Sequence, residues 1–168
     1  MEHAYINKAF PIGADQTISH PYTVAFQSEL LKLTAGDKIL EIGTGSGYQC
    51  AVLLEMKAQV YTVERQNELF KKTSKLLGKM GYHPRRFTFG DGYKGMPDHA
   101  PFDGIIVTCG APKLPQSLLS QLKIGGRLVI PIGDDPQMMT LYVRNSETEF
   151  SKKTFGNFRF VPFLDGKN

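Results

Sequence analysis

The sequence predicts an α/β fold: a three-layer, doubly wound, mostly parallel sheet with an antiparallel pair of strands at its C-terminal edge. Three observations carry this. Four β-rich runs, Lys38 to Gly43, Gln59 to Glu64, Phe102 to Gly110 and Gly126 to Gly133, have interiors that are near-continuously apolar rather than alternating. Strands covered on both faces read that way. Helical patterns fall between the runs, at the spacing of right-handed βαβ units. After Gly133 the helical signal stops, and Thr140 to Arg144 and Lys153 to Phe163 read as two further strands.

Taken in chain order, Phe10 to Tyr22 is polar and turn-rich, and it leads into a helix carrying Val24, Phe26, Leu30 and Leu31. Ser19 or His20 starts that helix, with Pro21 in its first turn. The Lys38 strand comes next, then a helix capped by Ser46 and running to about Lys57. The Gln59 strand precedes a helix capped by Asn67, with Leu69, Phe70, Thr73, Leu76, Leu77 and Met80 on one face and a stop near Gly81. Arg85 to Asp91 supplies another strand. Pro115 opens a helix with Leu118, Leu119 and Leu122 on one side, ended by Gly125-Gly126. With no repeat or linker, residues 1–168 read as a single domain. Within it, 1–35 form an N-terminal lid and helix, 36–133 a βαβ cofactor-binding core and 134–168 a C-terminal strand pair.

At 168 residues the chain is long enough to bury roughly 70% of its unfolded surface without a metal or a disulfide. Its 41% hydrophobic and 21% charged residues are those of a globular protein. The net charge of +4 is spread evenly, with 9 basic against 8 acidic residues up to position 84 and 11 against 8 beyond it. No basic arm emerges, so a nucleic-acid partner is not expected. Cys50 and Cys109 form no C-x-x-C pair and have no histidine cluster nearby, so no metal site is expected and the default compartment is a reducing cytoplasm. Met1 to Tyr5 lacks a secretory pattern and no window approaches a membrane span.

The informative stretch is Glu41-Ile42-Gly43-Thr44-Gly45-Ser46-Gly47-Tyr48, a glycine-rich turn between a buried strand and a helix. Glycines at alternate positions let backbone approach a ligand at the carboxyl end of the sheet. The spacing is G-x-G-x-G, with Tyr48 where a dinucleotide fingerprint needs its third glycine, and no Lys-Ser/Thr follows to cradle phosphate. Glu64 ends the second strand, where a carboxylate can accept two hydrogen bonds from a ribose diol. Asp91-Gly92 ends the next, within reach of an adenine amino group. Glu41 is a loop brace or a partner for a cofactor ammonium. Acids at successive strand ends beside a glycine loop that cradles no phosphate resemble the S-adenosyl-L-methionine site of the class I methyltransferase fold, a Rossmann-like architecture, and imply methyl transfer with S-adenosyl-L-homocysteine as product.

A wider resemblance rests on Pro11-Ile12-Gly13, Gln16-Thr17-Ile18-Ser19-His20-Pro21-Tyr22, the glycine loop through Gln49, Gly90-Asp91-Gly92-Tyr93, Ala100 to Thr108, Gly126 to Gly133 and Arg159-Phe160-Val161-Pro162. Together these resemble the protein-L-isoaspartate O-methyltransferase family, and the Gln16 to Pro21 run is the most specific of them. The resemblance implies a monomeric cytoplasmic repair enzyme, without membrane or nucleic-acid partners. It would methylate the α-carboxylate of isoaspartyl residues in peptides and proteins and so start repair through a succinimide. It also implies that Gln16, Thr17 and Ile18 join Glu41, Gly43, Gly45, Gly47, Glu64, Asp91 and Gly92 around the cofactor. Thr17, Ser19, Val161 and Pro162 would meet the substrate, with Ser19 catalytic. The family carries several dozen more residues ahead of Pro11 and a longer tail after Pro162, so a more open acceptor side with low turnover is expected here.

His20, a loop histidine beside proline, reads as a capping or packing residue, and Cys109 as a small buried residue rather than a nucleophile. Three other readings remain, one of them a nicotinamide dehydrogenase, which would need a glycine at Tyr48. A methyltransferase of another small-molecule acceptor would share everything after Gly36 but would have no need of Gln16 to Pro21. A cofactor-binding protein with little activity would bind without turnover.

Overall fold

Seven strands form one sheet in the order β5-β4-β3-β6-β7-β8-β9 in the computed structural model, which describes residues 10–14 and 16–168. Residues 1–9 and Asp15 lie outside the described residues, and with them most of the leader on which the expectation of an open acceptor side rests. A small hairpin, β1 (Pro11–Gly13) and β2 (Gln16–Thr17), comes before the sheet. The sheet strands are β3 (Lys38–Ile42), β4 (Gln59–Glu64), β5 (Arg86–Phe89), β6 (Phe102–Val107), β7 (Leu122–Ile132), β8 (Gln137–Arg144) and β9 (Phe150–Phe158). Strands β3 to β7 pair in parallel, whereas β8 and β9 are antiparallel, as the loss of helical signal after Gly133 predicts.

The helices are α1 (Pro21–Leu31), α2 (Tyr48–Glu55), α3 (Asn67–Lys79) and α4 (Gln116–Ser120). Leu31 of α1, Cys50 and Leu53 of α2 and Leu77 of α3 pack on one face of the sheet with Ile39, Val60 and Ile106. The other face is covered by Leu118 and Leu119 of α4, by Met96 between the short helical turns at Gly92–Lys94 and Pro97–His99, and by Phe163 of the tail. Gln27 of α1 is buried, and its Nε2 donates to the Val107 carbonyl at the end of β6 at 3.0 Å. That bond fixes the helix that follows the Gln16 to His20 segment.

Several boundaries move. Helix α2 begins at Tyr48 with Gly47 as its cap, because Gly47 adopts φ 84°; Ser46 Oγ accepts only a 3.3 Å bond from the Tyr48 amide. Gln66, not Asn67, precedes α3. The helix after Pro115 stops at Ser120, and Leu122 opens β7, so Gly125-Gly126 lies inside a strand. Gly126 suits that place since a Cβ there would meet backbone oxygens of Lys123, Phe102 and Asp103 at 2.7–3.1 Å. The final strand is Phe150–Phe158, and Phe160 to Phe163 leave it to return toward β6.

Candidate functional site

Chain order runs outward from β3 to β5 and then jumps back to β6 beside β3, so the sheet reverses direction between β3 and β6. Open α/β sheets bind ligands at such a reversal, outside the carboxyl ends of the strands. A cavity lies there. Gly43 and Gly45 of the glycine loop line it, with Glu64 at the end of β4, Thr108 after β6 and Gly92 after β5.

The glycine loop is tied down from three sides. Gly45 N donates to Glu64 Oε2 at 2.8 Å, and Gln66 N donates to Glu64 Oε1 at 2.8 Å. Glu64 is 4% exposed, so both carboxylate oxygens are oriented by backbone while each keeps a further lone pair. Thr108 Oγ1 lies 2.9 Å from the Ile42 carbonyl oxygen and 2.6 Å from that of Gly43. Thr73 Oγ1 of α3 donates to the Gly45 carbonyl at 2.5 Å.

Glu41 stands beneath this loop, fully buried. Thr62 Oγ1 donates to its Oε2 at 2.6 Å and is itself 2.6 Å from Thr44 Oγ1, a relay from strand to loop. Burial pushes its pKa up to about 8; the Thr62 hydrogen bond opposes the rise and the Glu64 charge adds to it. Glu41 is absent from the cavity lining and its Thr62 bond makes it a brace of the loop, while its Oε1 is a buried acceptor without a hydrogen-bond partner among the described residues. Gly47 is absent from the lining as well. A Cβ there would meet Leu77 Cδ2 and Thr73 Cγ2 at 3.0 Å, so packing against helix α3 by itself requires a glycine. Asp91 caps the turn after β5 by accepting from Tyr93 N at 2.9 Å, and Gly92, not Asp91, reaches the cavity. At Gly92 a Cβ would meet Ile42 Cγ2 at 2.6 Å and Phe163 Cε2 at 2.9 Å.

The β1–β2 hairpin lies against the loop: Ile12 lines the cavity, and its carbonyl accepts from Lys72 Nζ of α3 at 2.9 Å. Gln16, Thr17 and Ser19 line the cavity as well, whereas Ile18 lines only a neighbouring cleft. Val161 and Pro162 arrive because the tail pairs with the segment after β6, through Gly110 N to the Val161 carbonyl and Phe163 N to the Gly110 carbonyl, both 2.8 Å. Thr17, Ser19, Thr108 and Val161 line both the cavity and the open cleft beside it.

Thr108, Gln66 and Phe163 are site-forming residues that sequence reasoning passed over. Thr108 was findable, since it directly follows the strand that flanks the reversal. The places of Gln66 and Phe163 depend on loop and tail paths that no periodicity encodes. Cys109 lies in the lining, 9% exposed, and burial raises the pKa of its thiol, which suits a packed residue rather than a nucleophile. His20 accepts from Val24 N at 3.1 Å through its backbone carbonyl, at the head of α1. Among the described residues no group of histidine, cysteine and acidic side chains is arranged to hold a metal, and no helix is long and apolar enough to cross a membrane.

Comparison with known proteins agrees with this geometry. The sequence pattern of the family described as Protein-L-isoaspartate(D-aspartate) O-methyltransferase (PCMT) matches residues 1–168. A protein-L-isoaspartate O-methyltransferase of Christiangramia forsetii is 65% identical over 167 residues, 99% of this chain and 78% of that protein. One from Flavobacterium psychrophilum is 64% identical over the same shares. A solved structure titled protein-L-isoaspartate O-methyltransferase superposes with a TM-score of 0.87 at 29% identity, covering 96% of this chain and 54% of that one. A Plasmodium falciparum structure, solved with S-adenosyl-L-homocysteine, shares the fold with a TM-score of 0.80 at 23% identity, over 95% of this chain and 81% of that one.

Proposed function

The chain belongs to the protein-L-isoaspartate(D-aspartate) O-methyltransferase family, and from that premise we propose that Glu64 holds the ribose of S-adenosyl-L-methionine while Ser19 orients the acceptor carboxylate. The reaction is S-adenosyl-L-methionine-dependent methylation of isoaspartyl residues in proteins. The observation that carries the residue assignment is that Glu64 and Ser19 line one cavity at the reversal of the sheet, and that Ser19 also lines an adjoining open cleft of about 750 Å³.

The lining suits such a cofactor. Ile42, Val63 and Phe163 offer an apolar bed, Glu64 a buried carboxylate, and Gln16, Gln49 and Gln66 uncharged polar groups. Arg65 is the one cation among the described lining residues, and its Nε already donates to the Gly166 carbonyl at 3.3 Å, so no diphosphate cradle is present. Gln49 Oε1 is a buried acceptor without a hydrogen-bond partner, which an ammonium donor would satisfy. When bound, the cofactor supplies an electrophilic sulfonium methyl.

An acceptor carboxylate with a pKa near 4 is ionised at neutral pH, so the chain needs no strong general base. Its task is to align the acceptor and exclude water, which can contribute about 7 to 11 kcal/mol. The Ser19 hydroxyl donates to the acceptor carboxylate; Thr17, Val161 and Pro162 bound the substrate, and the β1–β2 hairpin screens the glycine loop. The resulting methyl ester loses methanol to the neighbouring amide nitrogen, giving a succinimide without further help from the protein. A reducing cytoplasm is the finer reading of location, supported by two free, buried cysteines. Methyl transfer to an isoaspartyl peptide, measured against its aspartyl twin, tests the assignment.

A further inference from the structure

The most conspicuous feature outside the cavity is a cluster of rings where α1 meets the end of β9. Phe26 is its centre, with centroids 5.8 Å from Tyr22, 5.3 Å from Phe158 and 5.9 Å from Phe155. Tyr22 and Phe158 lie nearly parallel, 5° apart in plane with centroids 6.3 Å apart. Residues three apart on a regular strand point to opposite faces. Here β9 carries a bulge, with Met138 opposite Asn157 but Thr140 opposite Thr154, and Gly156 within it adopts φ 86°. The extra residue turns Phe155 and Phe158 to the same side, toward Phe26.

Phe26 and Phe155 account for the seam between helix and sheet. Tyr22 needs another explanation, because it is 62% exposed while stacked in the cluster. Tyr22, Phe155, Phe158 and Phe160 line an open cleft of about 750 Å³ whose inner end is Thr17, Ser19, Thr108 and Val161. Those four residues also line the cofactor cavity, so the shelf is continuous with the place where the acceptor carboxylate sits. The acceptor is one residue of a polypeptide, and its neighbours must leave the site along some surface. A few residues at about 3.3 Å each carry the chain out along a cleft of this kind. The cleft rim carries His20, Asn157 and the exposed Arg159–Asp135 pair, polar groups suited to peptide backbone rather than to a second apolar domain.

We propose that the Tyr22–Phe158 shelf is a substrate subsite that receives an aromatic or bulky aliphatic side chain of the damaged polypeptide, a few residues from the isoaspartyl acceptor. This rests on the function proposed above. The energy available is that of one ring packed on others, enough to favour some damaged sites over others without restricting the enzyme to one sequence.

The test is steady-state methylation of a set of isoaspartyl peptides that carry phenylalanine, leucine or serine at each of the three positions on either side of the acceptor. Wild-type enzyme should show a KM about tenfold lower for phenylalanine than for serine at one or two positions, at similar kcat. In Tyr22→Ala that ratio should fall to within about twofold, and in Tyr22→Phe it should return. Equal KM values across the set, or a phenylalanine preference that survives Tyr22→Ala, overturn the shelf while leaving the methyltransferase assignment intact. Phe158→Ala should act in the same direction, and if it fails to fold, Tyr22→Ala decides alone. No transfer to any isoaspartyl peptide, with S-adenosyl-L-homocysteine still bound, overturns the acceptor assignment and the shelf with it.

Discussion

Gly45 donates its amide hydrogen to Glu64 Oε2 at 2.8 Å, so the glycine loop after β3 and the acid at the end of β4 form one rim of the cavity proposed to hold the cofactor. The Gln66 amide holds the other carboxylate oxygen, and the whole group is buried. An acceptor oriented in this way before a ligand arrives loses little freedom on binding, which favours affinity.

Glu64→Ala is therefore expected to weaken S-adenosyl-L-homocysteine binding by about 1.5 to 3 kcal/mol, the range for hydrogen bonds to a charged group. Titration calorimetry reads this directly. Unchanged affinity would remove Glu64 from the site.

Ser19→Ala should leave S-adenosyl-L-homocysteine affinity within about twofold and lower kcat/KM on an isoaspartyl peptide by about 10- to 150-fold, the loss of one hydrogen bond to a charged acceptor. Mass spectrometry during turnover should find no methyl on Ser19. A fully active variant, or a trapped methyl-enzyme, would contradict the orienting role.

Gly47→Ala should damage the fold rather than the site. Its φ of 84° strains any side chain, and the new Cβ would press on Leu77 and Thr73 at 3.0 Å. A loss of about 1 to 3 kcal/mol of stability is expected, with cofactor affinity retained by the folded fraction. Affinity lost without a change in denaturation midpoint would place a ligand contact at Gly47 instead.

Glu41 gives stability a pH dependence with a definite sign. Its folded pKa of about 8 lies above the unfolded value of 4.5, so its contribution is complete below pH 4.5 and is lost as pH rises toward 8. Glu41→Gln keeps the shape but cannot ionise. The stability of the variant relative to wild type should rise across that window, by at most about 1.4 kcal/mol per pH unit. Denaturant titrations at several pH values would show it, and a constant difference would contradict a neutral Glu41.

Much of this was legible because burial writes itself into composition. The run at Gln59 to Glu64 has the same bounds in sequence and structure, since its β-branched and aromatic interior, Val60 to Val63, is buried or half-buried and polar residues mark both ends. The helix after Pro115 was overextended because Leu118, Leu119 and Leu122 satisfy helical spacing while Leu122 in fact starts β7; three leucines cannot distinguish a short helix joined to a strand from a longer helix. Of the residues that line the cavity, Gly43, Gly45 and Glu64 are legible from the glycine loop and a strand end, and Thr17 and Ser19 only through the family resemblance. Glu41, Gly47 and Asp91 stand just outside the cavity lining, and the sequence does not distinguish them from the residues that form it, because a brace beneath a loop and a contact above it have the same sequence appearance. The bulge at Gly156 that brings Phe155 and Phe158 together was also invisible, as it depends on register with β8.

The central claim is that this chain's own Ser19 side of the cavity accepts an isoaspartyl carboxylate. The most direct measurement offers the protein radiolabelled S-adenosyl-L-methionine together with an isoaspartyl peptide or its aspartyl twin, and counts base-labile methyl ester. The account predicts ester on the isoaspartyl peptide and none above background on the twin. Equal labelling of both peptides, or labelling of neither by protein that still binds S-adenosyl-L-homocysteine, would contradict it.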